Sequence, residues 1–582
     1  MQALQKLREH LAHADALLAL ALVGLTSGLA TGGVIIAFRW LTETAQVRLT
    51  PLANPEAFEW LSWPYRLGLP VAGGLLIGLI FHLVSTGSQQ VGVVHVMERL
   101  AYHSGRLPWR NAVLQFVGGA LSIMSGHSVG REGPAIHLGA ASSSLLGQSL
   151  GLPNNSIRVL VACGVAASIA ASFNTPIAGV IFAMEVVLME YTLAGFTPVI
   201  LASVAATSLT RAVYGSAPAI SVPALQMTSL WELPYILLLG VVLGAVGALF
   251  IQSIRRIDER FRHVPLWIRT TTAGLVTGLC ALVAPQVMGI GYDTVELTLL
   301  GEIGLGMLVV IAVAKLIATT ACVSLGLPGG LIGPTLVMGA AAGGALGVVG
   351  HALVPELSSS EGFYAMLGMG AMMGATLQAP LAALMAILEL TANSNSILPG
   401  MFAIVTASLT TRVAFKQSSV FVTMLEARGL EYQHDPVAIS LSRTGVGAVI
   451  QRRIVSVARR VTKSALPNPQ DRPFDWVLLT EGNQIVGLVP GEAFAAFLQT
   501  LDDDGESIEM FDLLKIAGAS TDFSMVRLHA TLREASERMR DADTSIVLVT
   551  RVEAATPGNI YGVLTRDQIE ASVRYRGLSR PG

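Results

Sequence analysis

Charge is scarce in this 582-residue chain: Asp, Glu, Lys and Arg make up 13% of it, about half the usual share of a soluble domain. With 52% hydrophobic residues, that shortage excludes a soluble enzyme. An excess of one sign is also missing. The formal net charge is −2, so no global basic field is present to recruit nucleic acid. Cysteine is nearly absent. Cys163, Cys280 and Cys322 lie far apart in apolar stretches, without metal-ligand spacing, and read as packing thiols. Zinc-protease and P-loop motifs are lacking and the eleven histidines are scattered, so no metal site and no cofactor is expected.

The charge that is present is unevenly placed. Residues 431–582 hold 17 Lys or Arg and 20 Asp or Glu, 37 of the 76 charges. The composition predicts a polar cytosolic lead over residues 1–14, a membrane region over 15–430 and a soluble tail over 431–582. Within the membrane region, apolar segments recur at about 16–38, 67–85, 111–125, 134–150, 159–172, 176–192, 196–212, 234–254, 270–288, 304–325, 331–352, 363–376, 380–391 and 398–415. Several are too short to cross a bilayer and are cut by Gly and Pro. Such breaks survive at membrane depth only where they are buried in protein or line a wet cavity, which points to an ion or solute site. The stretch 253–269, with arginines at 255, 256, 260, 262 and 269, reads as a charged connector on the cytosolic side.

An internal repeat is visible. GREGPAIHLGAASSSLLG (130–147) and GLIGPTLVMGAAAGGALG (330–347) share 8 of 18 positions at an offset of 200. TPIAGVIFAMEVV (175–187) pairs with APLAALMAILELT (379–391) at an offset of 204, keeping Pro176/Pro380, Ala178/Ala382 and Glu185/Glu389. Two related halves, about 15–215 and 230–430, each with a Gly-Pro break and then a Pro-led helix carrying one Glu, are a transporter pattern.

GREGP (130–134) is the central feature. It sets Glu132 between glycines at the start of an apolar helix, whose free N–H groups and dipole favour negative charge. Gly130 and Gly133 let the backbone turn and expose amides, and Pro134 suits a first helical turn. The second half has GGLIGP (329–334) at the same place, with the same breaks and no charge. The shared element is therefore exposed backbone, an anion site, rather than an Arg131–Glu132 ion pair. Amides at about 1.5–3 kcal/mol each hold an anion without trapping it, as conduction requires.

GHSVG (126–130) also fits the serine-hydrolase elbow, which needs a strand before Ser128 and His and acid partners. The preceding LQFVGGALSIM does not read as that strand, so an intramembrane hydrolase is the alternative from another class. A receptor-like sensor with the tail as output is a further one, set apart by absence of ion flux.

GREGP, PGGLIGP (328–334), FNTPIAGVIFAME (173–185), QAPLAALMAILELT (378–391) and SVFVTMLEARG (419–429) together resemble the CLC family of chloride channels and chloride/proton antiporters. The resemblance runs from about residue 15 to 430. It implies an all-α polytopic membrane fold, an inverted repeat of tilted and broken helices, with a cytosolic α/β tail of paired CBS motifs. It also implies a homodimer with a pore in each protomer, chloride as the transported ion, and cytosolic termini, here in a bacterial inner membrane. Carried over by position, Glu132 is the gating glutamate. Backbone amides of Leu331 and Ile332, with groups around Arg131 and Gly133, contact the anion. Ser88 matches the serine facing the central anion, and Phe421 falls where the family usually has a tyrosine.

Three departures bear on function. The family's GSGIP reads GSQQV here (87–91), which puts loop shape and selectivity in question and opens a fluoride-exporter alternative. Phe421 lacks the hydroxyl donor, a loss of about 0.5–3 kcal/mol at the anion site. Val186 stands where the antiporters carry an inner proton-collecting glutamate, so a passive, channel-like pathway is expected over chloride/proton exchange. Glu185, mirrored by Glu389, reads as a structural or capping carboxylate, and Glu190 as a poor stand-in for the missing one. In the tail, strands such as WVLLT, QIVGLV, SIVLVT and NIYGVL alternate with helices at 491–501 and 532–542 in two similar units. Nucleotide-binding CBS motifs place Asp three residues after a strand-ending Thr. Here Pro490 and Ala493, and Thr565 and Gln568, occupy those positions, which argues for a structural role. DDDGE (502–506) reads as a solvated spacer.

Overall fold

The computed structural model describes residues 8–12, 16–49, 55, 57–84, 87, 89–220, 225–430, 436–469, 473–501, 510–551 and 556–578. They fall into two units. One comprises residues 20–149 and 157–433; the other comprises the described parts of 1–19, 150–156 and 434–582.

The first unit is helical because a bilayer leaves backbone polar groups no partner outside their own segment. Among the described residues, nine helical stretches are long and apolar enough to cross, from Leu17–Arg48 to Ser394–Ala414. The apolar segments mark helices well, both among these, where 331–352 is Ile332–Leu353, and beside them, where 134–150 is Glu132–Ser149 and 363–376 is Glu361–Leu377. The 159–172 segment extends to Asn154–Phe173, so it is not one of the short pieces expected. The truly short ones are the Pro-led helices Pro176–Phe182, which widens into a π-type turn over Ala183–Leu188, and Pro380–Thr391.

Two expectations need correction. The charged stretch at 253–269 is mostly not a connector, because the helix Leu233–Phe261 runs through it. Ion pairs one turn apart, Arg255–Glu259 and Arg262–Asp258 at 2.9 Å each, stabilise its polar end, and Pro265 then caps the helix Leu266–Val283. The helices Gly92–Tyr102 and Tyr292–Leu299 fall outside every apolar segment. Both are short and carry buried polar residues, which hides them from a hydropathy reading.

The halves also pack alike. A Cβ on Gly164 would stand 2.0 Å from the Gly139 oxygen, and one on Gly368 would stand 2.2 Å from the Gly339 oxygen. The Glu132 helix thus crosses the Asn154 helix backbone to backbone, and the Ile332 helix crosses the Glu361 helix in the same way. Small residues permit this approach, the usual device where lipid supplies no hydrophobic drive between helices.

In the tail, β1 (Ile454–Ala458), β3 (Trp476–Glu481) and β4 (Gln484–Pro490) form one sheet, with β1 parallel and β4 antiparallel to β3, while β2 (Arg460–Thr462) pairs antiparallel with β5 (Met510–Asp512). The strands β6 (Ser524–Arg527), β7 (Ile546–Thr550) and β8 (Ile560–Thr565) repeat that pattern. Alternation explains the packing: Val477 and Leu479 turn to a core with Phe494, while Leu478 turns to a second core with Leu548 and Val563 from the other sheet. Helices Gly491–Thr500 and Leu532–Asp541 complete the two units, the second opened by a Thr531/Glu534 capping box. The DDDGE spacer lies outside the described residues.

Candidate functional site

The two Gly-Pro breaks meet. Gly130 N donates to Gly330 O and Gly330 N donates to Gly130 O, both at 2.7 Å. This antiparallel clasp brings together the starts of two helices from opposite halves, at Glu132 and Ile332. Gly333 N donates to Glu132 Oε1 at 2.8 Å. The carboxylate therefore sits at the amide end of the Ile332 helix, where amides and dipole favour an anion. Glycine is required around it. A Cβ on Gly130 would stand 1.7 Å from Glu132 Oε2, one on Gly330 2.3 Å from Oε2, and one on Gly333 2.8 Å from Oε1.

A cavity of about 380 Å³ opens onto this cradle. Of the residues predicted from sequence, Glu132, Gly133, Leu331, Ile332 and Phe421 line it. Ser88 lies outside the described residues. The Arg131 side chain is directed to aromatic rings, with Cζ 4.9 Å from the Phe173 centroid and 5.7 Å from that of Tyr292. Gln89 and Gln90 of the divergent loop do line the cavity, and the loop is pinned. Gln89 Nε2 donates to Phe81 O and Val84 O at 2.9 Å each, and Asn111 Nδ2 donates to Gly87 O at 3.1 Å and Gln90 O at 2.9 Å.

Sequence reasoning missed the cavity's cationic lining, Arg262, Arg269 and Arg428. Arg269 Nη2 donates to Ser324 O at 3.0 Å and to Asp258 Oδ1 at 3.3 Å, and Arg428 lies 3.7 Å from Glu98. With Glu132 also in the lining, three acids stand against three guanidiniums, so the cavity carries excess positive charge only when Glu132 is protonated. The arginine density at 255–269 was the available signal. Also missed was a buried pair behind the wall: His95 Nδ1 lies 2.9 Å from His137 Nε2, each residue next in sequence to a lining residue, Val94 and Ile136.

Glu185 and Glu389 do not line the cavity. Glu185 accepts from Leu381 N at 3.3 Å and Ala382 N at 2.7 Å; Glu389 accepts from Ile177 N at 3.0 Å and Ala178 N at 2.7 Å. Each satisfies the first amides of the other half's Pro-led helix. Val186 is buried, 2% exposed, and Glu190 lies 3.7 Å from Arg158. Ser128 is preceded by the helix Trp109–Met124 rather than a strand, and its hydroxyl lies 2.9 Å from that of Thr319, so the hydrolase elbow is not built. In the tail, Gln568 Oε1 accepts from Thr565 N at 2.9 Å, a local cap at the place of the nucleotide-binding acid.

Residues 73–412 match the family model described as voltage gated chloride channel. A putative chloride channel protein ClcB-like of Ralstonia nicotianae is 35% identical over 402 residues, 67% of this chain and 92% of the relative. An H(+)/Cl(-) exchange transporter ClcA of Yersinia pestis bv. Antiqua is 31% identical over 385 residues, 64% of this chain and 80% of the relative. The fold is similar to that of a slow cyanobacterial Cl-/H+ antiporter, with TM-score 0.61 and 23% identity over 70% of this chain and 97% of that one. It is also similar to that of a eukaryotic CLC transporter, with TM-score 0.59 and 18% identity over 97% and 98%.

Proposed function

The chain belongs to the CLC family of chloride channels and transporters, and from that premise we propose that it is a passive, channel-like chloride pathway gated by Glu132. It is a multi-pass integral membrane protein. The observation that carries the uncoupled reading is the turn Ala183–Leu188: Val186 is buried there, and the turn's one carboxylate, Glu185, is bound to the amides of Leu381 and Ala382. A relay carboxylate at Val186 is missing, so protons lack that step toward Glu132.

Gating follows from the cradle. The ionised Glu132 carboxylate occupies the amide end of the Ile332 helix and competes with chloride for it. Protonation removes the charge that holds it there and opens the position to the anion. Chloride gathered by the arginine-lined cavity reaches backbone amides of Leu331 and Ile332, which bind without trapping. By the same family reading, the protein works as a homodimer with cytosolic termini, and its tail is a structural pair of CBS motifs.

A second reading, proton-coupled exchange, is favoured by the name of the ClcA relative and by the His95–His137 pair, which places titratable groups behind the cavity wall. Fluoride in place of chloride is the variant that the GSQQV loop suggests. Flux measured in proteoliposomes under voltage and pH control separates them. The uncoupled pathway gives a reversal potential fixed by the chloride gradient alone, and a shift with the pH gradient would sink it. Replacing chloride by fluoride in the same assay reads selectivity.

A further inference from the structure

The second unit carries an open cavity of its own, of about 210 Å³. Its charged lining is Arg8, Glu9, Arg452, His529 and Arg551, all within that unit. Three guanidiniums face one carboxylate, and that carboxylate is already engaged. Glu9 Oε1 accepts from the Tyr561 hydroxyl at 2.5 Å, and Glu9 Oε2 accepts from Arg452 Nη1 at 3.2 Å. Arg8 spends its Nε on Leu150 O at 2.8 Å. Among the described residues no carboxylate pairs with Arg8 or Arg551.

The arrangement is held rather than incidental. Tyr561 is stacked by two cations, with Arg452 Cζ 4.9 Å and Arg551 Cζ 4.7 Å from its ring centroid. Two guanidiniums on one ring repel each other, and among the described lining residues Glu9 is the one carboxylate set against the three guanidiniums. Planar forks of this kind match phosphate oxygens two at a time. At about 30 Å³ per water in the liquid, the volume holds roughly seven waters, which suits two phosphoryl groups and leaves a nucleoside outside. From these observations we propose that the cavity binds a pyrophosphate-class anion, either free or as the diphosphate end of a nucleotide.

This is not the corner where Gln568 stands at the place of the nucleotide-binding acid. Along the β7–β8 ladder, Ile546 pairs with Thr565 at one end and Thr550 with Ile560 at the other. Thr565 and Gln568 belong to the first end, Arg551 and Tyr561 to the second. Bound there, the anion ties residues 8–12, which lead within five residues into the helix Leu17–Leu49, to the tail.

The test is calorimetric titration of the full-length protein in detergent with inorganic pyrophosphate, ADP and adenosine. Saturable pyrophosphate binding is expected, with ADP equal to it or tighter and adenosine silent. Arg8→Gln and Arg551→Gln should each weaken it about tenfold, the loss of one charge-assisted contact. Arg453→Gln should leave it unchanged, because Arg453 pairs with Asp475 at 2.6 Å and does not line the cavity. Absence of pyrophosphate binding, or binding that survives both cavity variants, overturns the proposal. Should a variant not fold, phenylglyoxal labelling of the unaltered protein decides: pyrophosphate must protect Arg8 and Arg551, and unprotected arginines refute the site.

Discussion

Glu185 and Glu389 are each other's counterparts in the repeat, and each caps the helix of the opposite half: Glu185 binds the amides of Leu381 and Ala382, Glu389 those of Ile177 and Ala178. The two halves are thus laced by four amide–carboxylate bonds in reciprocal pairs. Because Pro-led helices leave their first amides unpartnered, the lacing replaces water that the bilayer interior does not offer.

Removal of either carboxylate should therefore destabilise the membrane unit without touching the anion cavity. Glu185→Ala and Glu389→Ala are each expected to cost about 1–3 kcal/mol, since two amides lose a charged acceptor. The Gln variants, which keep a carbonyl oxygen, should cost less. Thermal unfolding in detergent reads the effect. A Glu185→Ala protein as stable as the parent would mean that the lacing carries no load.

Much of this was legible in the chain. The repeat at offsets of 200 and 204 aligned Gly130 with Gly330 and Glu185 with Glu389, and four tail strands were placed to within a residue or two because each is a short aliphatic run, buried along most of its length and bounded by polar residues. The partner of Glu185 was not legible, because it lies 196 residues away and is defined only once the halves face each other. The same holds for Arg428, which joins Arg262 and Arg269 from the far end of the membrane region. His95 sat in a helix too short and too polar to register, although its neighbours Val93, Val94, Val96 and Met97 are all buried.

The glycine cradle makes a second prediction. A Cβ at position 330 would stand 2.3 Å from Glu132 Oε2 and 2.5 Å from Gly133 N, and neither backbone nor carboxylate can yield without leaving the site. Gly330→Ala should displace the Glu132 carboxylate and flatten the pH and chloride dependence of flux, the same outcome expected of Glu132→Gln. Gly68→Ala, where a Cβ meets nothing within 4 Å, is the control. A Gly330→Ala protein with unaltered gating would show that Glu132 does not gate from this position.

Phe421 supplies a third. Its ring lines the cavity and is 4% exposed. Phe421→Tyr adds a hydroxyl donor on that wall, and one such bond to an anion is worth about 0.5–3 kcal/mol. Chloride binding measured by calorimetry should tighten by roughly two- to a hundredfold, with stability nearly unchanged. Unaltered affinity would place the added hydroxyl out of reach of the bound ion.

The last concerns pH, at a carboxyl in the stretch between two membrane-spanning helices. Glu59, between the first two spans, faces Asp293, Thr294 and Lys315. Its carboxyl is pushed up to about 7, chiefly by burial and then by the negative charge of Asp293, with Thr294 and Lys315 opposing. The sign follows. Below its unfolded value near 4.5 the protonated form is favoured in both states, and the folded state holds that proton more tightly. The contribution to stability is therefore greatest at low pH and is lost as pH rises through about 7, when two carboxylates face each other ionised. Partial exposure screens the pair, so the loss should be about 1 kcal/mol rather than the full linkage value. Unfolding followed from pH 5 to 8.5 should show this decline, and Glu59→Gln, which cannot ionise, should remove it. A parent and a variant with the same pH profile would mean that the pair does not share a proton.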